Sequence, residues 1–68
     1  MYYKCIKSFE VKFENYVVKV SENSIWNLIN ITRYIDIHEY IELENAYSLE
    51  KIKITRQTLL ENFEHYDI

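Results

Sequence analysis

The sequence contains neither glycine nor proline, and these two absences exclude whole classes of site. P-loops and dinucleotide-binding turns need glycine where backbone must approach a phosphate closely. Turns must therefore rest on residues such as Asn, which tolerates left-handed backbone better than other side chains. Asn15, Asn23, Asn30 and Asn45 stand where turns are expected. Cys5 is the only cysteine, so no intrachain disulfide can form, and a lone thiol fits a reducing compartment. Long apolar runs are missing as well. The longest is three residues, against the ~20 that span a bilayer, and Lys4 and Lys7 interrupt any signal-like stretch at the start. The expectation is a cytoplasmic protein with no membrane segment.

Basic charge is also scarce. The net charge is −3, whereas phosphate-backbone binding draws on several clustered Lys and Arg. The charge is unevenly spread. Lys4, Lys7, Lys12 and Lys19 outweigh Glu10 and Glu14 near the start, while residues 36 to 50 hold five acids and no Lys or Arg. What the chain has in plenty is aromatic area, with seven Tyr, three Phe and Trp26 in 68 residues. A chain of this length forms one domain, residues 1–68. It buries only roughly 60% of its unfolded surface, so dense aromatic packing or oligomerisation must supply the stability that disulfides cannot.

Period-two alternation runs through Tyr3, Cys5, Phe9, Val11 and Phe13, and resumes at Tyr16, Val18 and Val20 after a turn at Glu14-Asn15. This pattern predicts a β-hairpin over residues 2–21. Ile25 to Ile31 fits two periods: Ile25, Leu28 and Ile29 have helical spacing, and Trp26 and Leu28 alternate. Its β-branched residues and flanking Asn favour a short strand. Further strands are predicted at Arg33–Ile37, Tyr40–Glu44 and Lys51–Ile54, with a loop at Asn45-Ala46-Tyr47-Ser48. Thr55 then reads as an N-cap. Leu59, Leu60, Phe63 and Tyr66 recur at helical spacing, which predicts an amphipathic helix over about residues 56–66. The expected fold is α+β and mostly β. It is a small bent antiparallel sheet, or a Src-homology-3-like barrel, of five or six short strands with one C-terminal helix.

Four stretches carry a resemblance. They are Met1-Tyr2-Tyr3-Lys4-Cys5-Ile6-Lys7, Ser24-Ile25-Trp26, Ile41-Glu42-Leu43-Glu44-Asn45, and Ile52-Lys53-Ile54-Thr55 leading to Leu59, Leu60 and Phe63. In this order they resemble small uncharacterised proteins from phages, prophages and mobile elements of low-GC Gram-positive bacteria. Asn23 stands where that group has Gly, and Glu50 or Lys51 where it has a second Trp. The resemblance implies an accessory protein that acts by binding host or phage proteins. It implies no catalytic residue and no cofactor.

Cys5 lies on the apolar face of a strand, which points to a buried thiol and not to a nucleophile. Asp36, His38 and Glu39 form the densest cluster of potential metal ligands. On a strand, however, only Asp36 and His38 would face the same side, two ligands where a zinc site needs three or four. No paired carboxylates mark an acid/base site, so no enzyme is expected. Trp26 suits either the core or an interface anchor. Tyr34, Asp36, Glu39, Tyr40, Glu42, Glu44 and Tyr47 together suggest an acidic, aromatic face. Such a face would dock a protein with a basic surface, or pair two copies of the chain. Two alternatives stand beside a protein-interaction module of a mobile element, which could inhibit or modulate a host defence protein. One is a nucleic-acid-binding barrel that uses the basic N-terminal hairpin with Tyr2, Tyr16 or Phe9 as stacking platforms. The other is a structural or assembly component of a phage particle.

Overall fold

A computed structural model describes residues 1–33 and 39–67 of the chain. Among them run β1 (Tyr2–Cys5), β2 (Phe9–Lys12), β3 (Val17–Val20), β4 (Ile25–Arg33), β5 (Glu39–Asn45), β6 (Lys51–Thr55), α1 (Arg56–Asn62) and β7 (Phe63–Tyr66). Five strands form one curled antiparallel sheet in the order β6-β5-β4-β1-β7, and β2 and β3 form a separate two-stranded sheet. The fold is thus α+β and mostly β, a bent half-barrel whose two ends, β6 and β7, are not hydrogen-bonded to each other. No helix among the described residues is long and apolar enough to cross a membrane.

The alternation of the first twenty residues places Cys5, Val18 and Val20 in the core with Tyr3, Phe9, Val11 and Phe13 packed against it. Its connectivity differs from a single hairpin over residues 2–21. The hairpin is β2–β3 alone, closed where the Phe13 amide donates to the Tyr16 carbonyl. β1 instead lies between β4 and β7. The break falls after Cys5, where competing partners take the backbone. The Cys5 amide donates to the Ser24 carbonyl, the Ile6 amide to the Asn62 carbonyl, and the Asn23 amide to the Cys5 carbonyl. Asn23 makes this last bond with φ 75°, the left-handed geometry that Gly adopts most readily and Asn tolerates.

The segment from Ile25 is a strand, and it runs through to Arg33. Its mixed periodicity has a structural cause. The register with β5 shifts between Leu28 and Asn30, so Ile29 is an extra residue that bulges outward. Trp26 and Leu28 precede the bulge, and Ile29 breaks the period of two. The strand expected at Arg33–Ile37 keeps only Arg33, as the end of β4; its other positions lie outside the described residues. Both remaining strands match their expected positions, with Ile41, Leu43, Ile52 and Ile54 buried.

The C-terminal helix is shorter than its spacing predicts. Thr55 caps it, with Oγ1 accepting from the Thr58 amide, but α1 ends at Asn62. Residues 63–66 form β7, paired to β1 from Tyr2↔Tyr66 to Cys5↔Phe63. The β1 edge offers a ladder of backbone bonds that a longer helix would leave unpaired. Phe63 is buried on either geometry, which hid the change of period. Leu60, on the expected apolar face, is 71% exposed. As a result α1 connects the two opposite ends of the curled sheet, from β6 to β7.

Candidate functional site

β5 and β6 form one end of the sheet, and their side chains alternate strictly between its two faces. Ile41 and Leu43 point inward from β5, as do Ile52 and Ile54 from β6. On the outer face Tyr40 lies opposite Thr55, Glu42 opposite Lys53, and Glu44 opposite Lys51. The Lys53 ammonium is 3.5 Å from the Glu42 carboxylate. Cross-strand pairing of acid with base is the arrangement a two-stranded surface favours. The outer face is therefore mixed in charge, a row of acids on β5 beside a row of lysines on β6.

Of the seven residues expected to share an acidic, aromatic face, Tyr34 and Asp36 lie outside the described residues. Tyr40, Glu42 and Glu44 share the outer face of β5. Glu39 has the parity of Ile41 and Leu43 instead. Its Oε1 accepts from Arg56 Nε at 2.7 Å and also pairs with Arg56 Nη2, which ties β5 to the start of α1. Tyr47 stands off the sheet in the β5–β6 turn and is 83% exposed. The Asn45 carboxamide oxygen accepts from the Tyr47 and Ser48 amides and shapes that turn. Sequence reasoning missed Lys51, Lys53 and Arg56. The signal was present as Glu-x-Glu in one strand and Lys-x-Lys in the next, joined by a short loop.

Two grooves of about 280 and 250 Å³ flank β6. The first lies between Lys53, Ile54 and Thr55 of β6 and the residues Phe9 to Lys12 of β2. The second continues along Lys51, Ile52 and Lys53 beside Phe13. β6 is the last strand of its sheet, and β2 pairs only with β3. Each groove therefore borders a strand edge with no strand beside it among the described residues.

Other candidates resolve into packing. Trp26 is 1% exposed, and its indole N–H donates to Ser24 Oγ at 2.8 Å, so it is a core residue and not an interface anchor. Cys5 is fully buried. Burial first of all, with a smaller contribution from Glu22, pushes its thiol above the usual range, and hydrogen bonding with the Lys7 backbone acts the other way. Such a thiol stays protonated. Asp36 and His38 lie outside the described residues, and Glu39 is held by Arg56; no group of three or more potential metal ligands occurs among the described residues. The N-terminal lysines are divided between the two sheets: Lys4 lies opposite Glu64 in the large one, and Lys12 and Lys19 share a face of the hairpin with Glu10, which lies opposite Lys19. Of the three proposed stacking platforms, Phe9 packs edge-on against Phe63 at 5.7 Å. Tyr16 stacks on Phe13 at 4.6 Å, and Tyr2 lies opposite Tyr66 on the outer face of the sheet. No family model matches the chain, and neither a curated protein nor a solved structure matches it.

Proposed function

We propose that this chain is a non-catalytic protein-interaction module that presents the β5–β6 end of its sheet to another protein. The observation that carries this reading is the edge of β6, which has no strand beside it among the described residues and is bordered by two grooves whose walls include Tyr40 and the Glu42–Lys53 pair. A sheet edge is a template for another chain, and folds that avoid contact usually cover it. Tyr47, exposed at the adjoining turn, adds amphipathic contact area of the kind enriched at interfaces. The resemblance to proteins of mobile elements makes a host or phage protein the partner, and the unpaired Cys5 suits the host cytoplasm. Modulation of a host protein is the role that follows.

The test is capture of partners from a nuclease-treated low-GC Gram-positive lysate by the tagged chain, beside a variant carrying Tyr47→Ala and Glu44→Ala. The expected result is one host protein recovered in stoichiometric amount and at least tenfold less of it with the variant. Equal recovery by both chains would refute the β5–β6 surface. Recovery abolished by nuclease would refute a protein partner in favour of nucleic acid.

A further inference from the structure

We propose that the groove between β6 and β2 accepts an extended segment of the partner, with acidic and apolar residues in alternation, as an added strand on β6. The proposal rests on the interaction reading above and names the chemistry that the edge selects.

The backbone comes first. Hydrogen-bonded and non-bonded pairs alternate along antiparallel strands. The Asn45 amide donates to the Glu50 carbonyl, so by alternation Leu43↔Ile52 and Ile41↔Ile54 are bonded pairs. The N–H and C=O groups of Lys51 and Lys53 and the N–H of Thr55 then point to the open side of β6, the Thr55 carbonyl belonging to the first turn of α1. The same count applies to the hairpin. The Phe13 amide donates to the Tyr16 carbonyl, so Val11↔Val18 and Phe9↔Val20 are bonded, and the backbone of Glu10 and Lys12 points to the open side of β2. The groove of about 280 Å³ lies between these two edges. It is walled by outward-facing peptide groups, which an extended chain matches along its whole length.

Charge selects the occupant. Across the outer face, the acids of β5 lie opposite the lysines of β6. A strand beyond β6 continues favourable pairing only with acids at every second position, beside Lys51 and Lys53. Glu10 and Lys12 both line the facing wall and balance each other, so the selection rests on Lys51 and Lys53. The intervening positions of the added strand share the inward face of Ile52 and Ile54, and so are apolar. A second copy offering its own β6 antiparallel would set Lys53 against Lys53, or Lys51 against Lys53, which is unfavourable. The rows of lysines thus turn away self-pairing and admit an acidic strand.

The probe is an acetylated, amidated hexapeptide of alternating Glu and Val, titrated into the isotope-labelled full chain and followed by amide NMR. Backbone amides of Lys51, Lys53 and Thr55 should shift, and at saturation exchange with solvent at least tenfold more slowly. A Lys–Val hexapeptide should bind at least tenfold more weakly. So should the Glu–Val peptide to the Lys51→Gln, Lys53→Gln double variant, whose amide spectrum elsewhere reports an intact fold. No binding at millimolar peptide, equal binding of both peptides, or shifts confined to the outer face of β4 and β5 would overturn the proposal. So would the same shifts on concentrating the chain alone, which would assign the edge to a second copy. Any of these results leaves the capture difference for Tyr47→Ala and Glu44→Ala standing or falling separately.

Discussion

Among the described residues, Cys5 carries the one titratable group that the fold displaces clearly. Its thiol is buried without exposure, and loss of water is the largest cause holding it above its ordinary value of 9.0. The folded chain keeps the proton where the unfolded chain begins to release it, so above that value the unfolded state binds fewer protons. The linkage sign then makes stability fall as pH rises. The contribution is fully present below pH 9.0 and is lost progressively as pH climbs toward the raised folded value. The slope cannot exceed about 1.4 kcal/mol per pH unit for one proton. Urea midpoints measured from neutral to alkaline pH should therefore fall more steeply for the wild-type chain than for Cys5→Ala. The variant itself costs about 1 kcal/mol at neutral pH through lost packing, so the comparison is between slopes. Parallel slopes would mean that the thiol titrates normally within the fold.

At the scale of an element, the β5–β6 hairpin shows what a chain without glycine must accept. Asn45 closes the turn, its amide donating to the Glu50 carbonyl and its carbonyl accepting from the Leu49 amide. Leu49 completes the turn at φ 65°, a left-handed geometry that costs an ordinary residue about 1–2 kcal/mol. Its side chain is largely exposed and contributes little packing in return. Leu49→Asn should raise stability by about 0.5–1 kcal/mol, read as a higher urea midpoint with an unchanged denaturant slope. A lower midpoint would show that the Leu49 side chain matters more than its backbone strain.

The same hairpin marks how far the sequence could be read. Strand alternation placed Ile41, Leu43, Ile52 and Ile54 in the core because burial of one face imposes a period of two. Pairing was less visible, since nothing in β1 states that its neighbours are β4 and β7 and not β2. The change from helix to strand after Asn62 was hidden because Phe63 satisfies both periods. At the site, the acids of β5 were legible but their neutralising lysines were not. Charge on a strand takes its meaning from the strand beside it, and that is a matter of topology.

For the molecule as a whole, the decisive question is whether the curled sheet, the hairpin and α1 share one fate. Phe63 touches all three. It begins β7 opposite Cys5, its amide closes α1 on the Leu59 carbonyl, and its ring packs edge-on against Phe9 of the hairpin. Chains of this size are stable by about 0.05–0.15 kcal/mol per residue, hence by roughly 3–10 kcal/mol in total. Truncating a buried Phe to Ala costs about 3–5 kcal/mol, most or all of the lower half of that range. Phe63→Ala should therefore unfold the entire chain or leave it on the edge of unfolding, while Phe63→Leu, which keeps most of the volume, should cost only about 1–2 kcal/mol. Trp26 sits in the large sheet, away from the substituted ring in sequence, and its buried indole reports the sheet by fluorescence. In urea titrations of Phe63→Leu, the Trp26 emission shift and the loss of far-ultraviolet circular dichroism should share one midpoint, lower than that of wild type. Separate midpoints would mean that the hairpin melts away from a sheet that survives it. The grooves beside β6 would then have only one fixed wall, because β2 supplies the other.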